Sequence, residues 1–198
     1  MNTYYDPNKH QRRSLRLKGY DYTKAGAYFI TLMTYQRECL FGEVLNGEVE
    51  LSDWGYLALN EWRRLSQRFE MVSVDEIIVM PNHVHGILLI REESHAVGAG
   101  QEQSPQSSSN PLAPPLLYPP PRPFATENPR SVGAIGGAYK STTARLINGL
   151  RRTKGAPVWQ RNYYEHIIRD EDDLMRIREY ILDNPLQWEF DPENTACE

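Results

Sequence analysis

The chain has 198 residues, 40% of them hydrophobic, a formal charge of −4 and a pI near 5.8, enough for one domain with its own core, and the acidic balance excludes a protein that coats nucleic acid indiscriminately. No apolar run approaches the ~20 residues of a membrane helix and the polar, basic N-terminus lacks an apolar signal core, so a cytoplasmic protein with no membrane partner is expected. The two cysteines, Cys39 and Cys197, belong to no Cys-x-x-Cys zinc pattern and are not expected to form a structural pair, which fits a reducing compartment.

Residues 1–24 are polar, basic and rich in tyrosine, and read as an arm leading into the first strand. Between Asp6 and Asp21 the charged residues are Lys9, Arg12, Arg13, Arg16 and Lys18, with no acid among them. A second acid-free interval, from Glu127 to Glu165, holds Arg130, Lys140, Arg145, Arg151, Arg152, Lys154 and Arg161. Either tract is as readily a solvated face as a phosphate-binding surface.

The run from Tyr28 to Tyr35, dense in β-formers and preceded by Gly26, predicts a strand. Residues Cys39 to Leu45 and Glu48 to Leu51 flank Asn46-Gly47, the signal of a tight hairpin. Ser52 or Asp53 can cap a helix reaching about Phe69, because Leu57, Trp62 and Leu65 recur near helical spacing.

Val74 to Ile90 carries two apolar runs, Ile77 to Met80 and Ile87 to Ile90, on either side of Pro81-Asn82-His83-Val84-His85. On a strand His83 and His85, two apart, project from one face while Val84 faces the other, and the pair could chelate a metal. Two such histidines are more often an ordinary polar face. Pro81-Asn82 interrupts the run as a turn or bulge would.

The composition changes near Glu92, and residues 94–130 are Ser, Gln, Pro and Gly in profusion without helical or strand period. This reads as a disordered or polyproline-like insertion in one domain spanning 1–198, and His95 inside it is discounted as a ligand. From Ser131 to Ile147 small residues and apolar spacing predict a helix with Lys140 and Arg145 on its surface, weakened at its start by Gly136-Gly137. Val158-Trp159-Gln160 predicts a short strand, leading to Asn162-Tyr163-Tyr164-Glu165-His166. Asp170 caps a last helix with Glu171, Asp172 and Asp173 in its first turn, expected to end at Asn184, before Pro185.

That helix buries Leu174, Ile177 and Ile181 and presents Tyr180 and Asn184, four apart, on an adjoining face. A phenol can attack a phosphodiester if a metal held by two imidazoles and an amide oxygen polarises it, with Asn184 as third ligand. Taken singly, a helical tyrosine is usually packing and an Asn before a helix-ending Pro usually a cap. A covalent adduct on the phenol would store the bond energy, so no nucleotide cofactor is expected, and no Gly-x-x-x-x-Gly-Lys loop appears.

The ordered set Met80-Pro-Asn-His-Val-His-Gly86, Tyr139-Lys140-Ser141, Val158-Trp159-Gln160 and Tyr180-Ile-Leu-Asp-Asn-Pro185 resembles the single-tyrosine HUH transposases, in particular the REP-associated tyrosine transposases of bacteria. The opening Arg13-Ser14-Leu15-Arg16-Leu17 and Gly26 to Thr31 resemble the same family's N-terminus. The periodicity alone stops at an α+β protein. The resemblance implies a ferredoxin-like α/β sandwich with an antiparallel sheet of the HUH endonuclease type. It makes His83 and His85 the metal pair and Tyr180 the nucleophile, and it puts Asn184 where related enzymes carry a Gln ligand. His166 is the rival ligand, and Tyr163 and Tyr164 are the rival nucleophiles.

The implied activity is Mg²⁺- or Mn²⁺-dependent transesterification on single-stranded DNA at hairpins (REP-like palindromes) through a 5′-phosphotyrosine, by a monomer or a homodimer. Arg12, Arg13, Arg16, Lys18, Lys140 and Arg145 are the expected DNA contacts. A domesticated hairpin-binding protein without strand transfer would keep the basic tracts and could dispense with Tyr180. A metal hydrolase unrelated to DNA would need no basic arm.

Overall fold

The computed structural model of the chain describes residues 20–92, 131–191 and 193–194. Most of the arm, with Arg12, Arg13, Arg16 and Lys18, and the insertion 94–130 with His95 therefore lie outside the described residues.

Among the described residues, six strands and four α-helices follow in the order β1 (Gly26–Met33), β2 (Gly42–Leu45), β3 (Glu48–Leu51), α1 (Asp53–Arg63), α2 (Leu65–Arg68), β4 (Val72–Met80), β5 (His83–Ile90), α3 (Val132–Leu150), β6 (Tyr164–Ile168) and α4 (Glu171–Asp183). Four strands form one sheet in the order β4-β5-β1-β6, every neighbour antiparallel. With α1 between β1 and β4 and α3 between β5 and β6, the path is the split βαβ arrangement of a ferredoxin-like sandwich.

The register sorts side chains by parity. Tyr28, Ile30 and Leu32 of β1 share a face with Leu88, Gly86 and Val84 of β5, and this face carries the main core with Trp62 of α1 and Ile135 and Tyr139 of α3. Phe29, Thr31 and Met33 stand on the opposite face with Ile87, His85 and His83. There Phe29, Ile87, Ile168 and Ile181 form a smaller cluster, joined by Leu174 and Ile177 of α4.

Close approach explains Gly86: a Cβ there would lie 2.3 Å from Trp62 Cζ2, so the glycine lets the indole settle on β5. The indole packs edge-on against Tyr139, ring centroids 5.3 Å apart, and Tyr139 donates to Ala58 O at 3.0 Å, tying α3 to α1. The β2–β3 hairpin turns on Asn46 (φ 54) and Gly47 (φ 79), both left-handed as the tight turn requires.

Three expectations need correction. The helix expected from 53 to 69 is interrupted at Arg64 and resumes as the single turn α2. Val158-Trp159-Gln160 is no strand: only Trp159 bridges to Thr34, because β1 ends at Met33 and the chain turns away through left-handed Gln36 and Arg37. The last helix ends where expected, α4 closing at Asp183 with Asn184 as its C-cap, and the chain runs on into a 3-10 helix, Asn184–Phe190, in whose first turn the missing proline N–H is tolerated. Cys39 is disulfide-bonded, contrary to the expectation of unpaired cysteines, and its partner lies outside the described residues.

Candidate active site

Pro81 and Asn82 form the two-residue turn joining β4 to β5, so His83 is the first residue after a fixed hairpin bend. His83 lies opposite Met33 and Met80, and His85 opposite Thr31 and Ile78. Both imidazoles emerge on the α4 side, ring centroids 4.3 Å apart, while Val84 is buried in the main core. His83 is fully buried and His85 is 4% exposed. Burial pushes the His83 imidazole down to about 4, partly opposed by Asp191 and Asn184, and holds His85 well below the usual histidine range, with His83 adding to the effect. Both rings are therefore neutral at neutral pH and carry a lone pair each.

The ring nitrogens facing the sheet are occupied. His83 Nδ1 is 2.8 Å from Asn82 Oδ1, and His85 Nδ1 is 2.8 Å from Thr31 Oγ1. On the other side, His85 Nε2 lies 3.4 Å from the Tyr180 hydroxyl, a long contact, while His83 Nε2 is buried and has no hydrogen-bond partner among the described residues. Asn184 follows α4 in helical conformation (φ −56, ψ −41), 4% exposed, so its amide is turned inward and is not a left-handed cap. Its Oδ1 is likewise buried with no hydrogen-bond partner among the described residues, although the amide lies close enough to act on both His83 and Tyr180.

These groups border a cleft of about 670 Å³ lined by Phe29, Thr31, His85, Tyr164, Tyr180 and Asn184, with Phe190, Asp191 and Glu193 also on its wall. Tyr180 is 48% exposed, and its ring meets His85 at 5.2 Å and Phe29 at 6.0 Å. Burial, with the charge of Asp191 behind it, raises the Tyr180 phenol above its usual value, so it is protonated at rest.

The cleft brings together His85, Tyr180 and Asn184, with His83 directly behind, and it also includes Tyr164, one of the rival nucleophiles. Tyr163, the neighbour in sequence, packs against the main core on the other side of the sheet. His166 stays outside: its Nε2 is 2.8 Å from Asp173 Oδ2, in a carboxylate pair that Arg176 joins at 2.9 Å. Lys140 and Arg145 are on α3, across the sheet from the cleft. The Lys140 ammonium donates to the carbonyls of Gln160 and Arg161, and Arg145 is exposed.

Asn82, Thr31 and Asp191 were not apparent as site residues from the sequence. Asn82 reads there only as part of a turn. Thr31 belongs to the site because the register sets it opposite His85, and no local signal carries register.

A cation fits the donor set. Among the described residues no three His, Cys, Asp or Glu side chains group closely enough to hold a metal, so an ion here needs an oxygen of another kind. Two neutral imidazole nitrogens and an amide oxygen are lone-pair donors, and two of these atoms are buried with nothing to accept.

No protein-family model matches the chain. It is 37% identical over 196 residues to an uncharacterised protein of Haemophilus influenzae, covering 96% of this chain and 97% of that one. A second Haemophilus influenzae protein, which carries the provisional name of REP-associated tyrosine transposase, is 25% identical over 174 residues, covering 84% of this chain and 74% of its own. In fold, the chain resembles a solved REP-associated tyrosine transposase bound to a REP hairpin, with TM-score 0.53 and 16% identity over 87% of this chain and 74% of that one. The antiparallel sheet, with the two histidines on one strand, has the fold of that solved transposase, and the chain belongs to one family with the uncharacterised Haemophilus influenzae protein.

Proposed function

We propose that this chain is a DNA strand transferase that cuts single-stranded DNA beside a hairpin and holds the cut end on Tyr180. The observation that carries the reading is the meeting of a phenol with three lone-pair donors, two of them buried and unpartnered, at the wall of one cleft. The related solved structure, bound to a REP hairpin, supports a hairpin as the partner.

His83 Nε2, His85 Nε2 and Asn184 Oδ1 would hold a divalent ion, Mg²⁺ or Mn²⁺. When bound, such an ion would polarise the scissile phosphate and lower the charge that develops on it. Tyr180 supplies the nucleophile. Its oxygen attacks phosphorus, the bond from phosphorus to the 3′-oxygen breaks, and the products are a 5′-phosphotyrosine and a free 3′-hydroxyl. Attack of a 3′-hydroxyl on the adduct reverses the step and returns the phenol, so no nucleotide cofactor is consumed. Phe29 bears on both His85 and Tyr180, which limits how far the phenol can stray from the imidazoles.

Incubation of the protein with labelled single-stranded hairpin DNA and Mn²⁺, followed by denaturing electrophoresis, should give a covalent band that chelation removes. Binding of the hairpin with no band under any divalent ion would point instead to a hairpin-binding protein that has lost strand transfer.

A further inference from the structure

We propose that Asn82 is the positioning residue that fixes which nitrogen of His83 carries the proton, and that the backbone carbonyl of Glu193 holds Asn82 in the orientation this requires. The proposal deepens the reading of His83 as a cation ligand and rests on it for its consequence, whereas the lock itself belongs to the metal-free protein.

An amide side chain has one accepting end and one donating end. The Glu193 carbonyl can only accept, and it lies 2.7 Å from Asn82 Nδ2, so the donating end must face it. Asn82 Oδ1 is then the atom 2.8 Å from His83 Nδ1, and because Oδ1 can only accept, Nδ1 must be the protonated nitrogen. A neutral imidazole has one N–H, so Nε2 is left as a bare lone pair, and this is the buried atom with no hydrogen bond. The opposite tautomer, with its N–H toward Asn184, would set two lone pairs against each other at Asn82.

Turning the amide over does not relieve this, because Oδ1 would then confront the Glu193 carbonyl. Nor can the residue move aside. Asn82 is fully buried, its backbone carbonyl accepts from Thr34 N and Thr34 Oγ1, both at 2.9 Å, and the carbonyl of Pro81 accepts from Phe41 N at 2.9 Å. Thr31 exerts no such control over His85, since a hydroxyl donates or accepts as required. The two ligands are thus held differently: His83 by an amide of fixed sense, His85 by a hydroxyl that follows it.

Long-range ¹H–¹⁵N spectra of histidine-labelled, metal-free protein at neutral pH report the tautomer directly, with His83 assigned by its loss in His83→Gln. Wild type should show the Nδ1–H form. Asn82→Leu, similar in size but unable to accept, should shift His83 toward Nε2–H and weaken Mn²⁺ binding, followed by the electron paramagnetic resonance of free Mn²⁺, by about 10- to 100-fold. Asn82→Asp, which still accepts, should keep the tautomer and bind Mn²⁺ within about tenfold of wild type. An Nε2–H signal in wild type overturns the proposal, and that spectrum decides it even if Asn82→Leu does not fold. Unchanged tautomer and Mn²⁺ affinity in a folded Asn82→Leu overturns it too, while leaving the cation reading in place. A wild-type Nδ1–H signal without Mn²⁺ binding does the reverse: the lock stands and the cation reading falls.

Discussion

Tyr180 and Tyr164 reach the same cleft from different elements, so proximity to the cleft cannot alone choose between them. What separates them is the partner of each hydroxyl: Tyr180 points at His85 Nε2, 3.4 Å away, whereas Tyr164 meets Phe29 through its ring, 6.2 Å between centroids. Removing only the hydroxyl isolates the chemistry. Tyr180→Phe keeps the ring contacts with Phe29 and His85 and loses one long polar contact, so its stability should stay within about 0.5 kcal/mol of wild type. It should bind hairpin DNA and form no covalent adduct at any Mn²⁺ concentration, while Tyr163→Phe and Tyr164→Phe still form it. Mass spectrometry placing a nucleotide on Tyr164 in the Tyr180→Phe protein would move the nucleophile to β6.

At the scale of elements, the site depends on how firmly α1 and α4 grip the two faces of one sheet. Gly86→Ala should cost about 2 kcal/mol, because the added methyl meets Trp62 Cζ2 at 2.3 Å in a closed core and either α1 or β5 must shift. Thermal denaturation of Gly86→Ala beside the double variant Gly86→Ala with Trp62→Leu measures this. The smaller side chain should recover part of the loss if the clash is the cause. On the other face Arg178 of α4 grips Asp75 of β4 with two hydrogen bonds, 2.8 and 2.7 Å. The Arg178 hydrogen bonds hold the Asp75 carboxyl below the usual carboxylate range, so the stabilisation is complete above the unfolded value of about 3.9 and is lost as pH falls through the lower folded value. Asp75→Asn should therefore melt below wild type at neutral pH, and the gap should close as the buffer is taken into the acid range. A gap that stays constant with pH would show that the pair contributes through packing alone.

Taken as a whole, the molecule sets its cleft on the α4 face of the sheet and the basic helix α3 on the other, so one DNA molecule touching Arg145 and Tyr180 must pass around the sheet's edge. Among the described residues no helix is long and apolar enough to cross a membrane. The insertion is a question for the intact chain. Deleting residues 97–127 and closing the gap with a short Gly-Ser linker should leave melting temperature and adduct yield nearly unchanged, since closure entropy grows only slowly with loop length. A large loss of either quantity would show that the segment supports the domain or the site.

Where local chemistry decides, the sequence was sufficient. The Asn46-Gly47 turn, the Ser52 and Asp170 caps and the apolar stripe of α4 each depend on residues within a few positions of one another, and each stands where the sequence indicates. The i, i+2 spacing likewise puts both histidines on one face, because alternation is a property of any strand. The ordered motifs identified the ferredoxin-like fold, which periodicity alone did not reach. What no local pattern contains is register and the packing of distant segments. Only the pairing of β1 with β5 sets Thr31 against His85, only the return of the chain after Phe190 brings Glu193 to Asn82, and only the continuation past Asp183 turns Asn184 inward. Those contacts join residues 54 and 111 positions apart, and their partners are chosen by the closing of the whole sheet rather than by any stretch of chain.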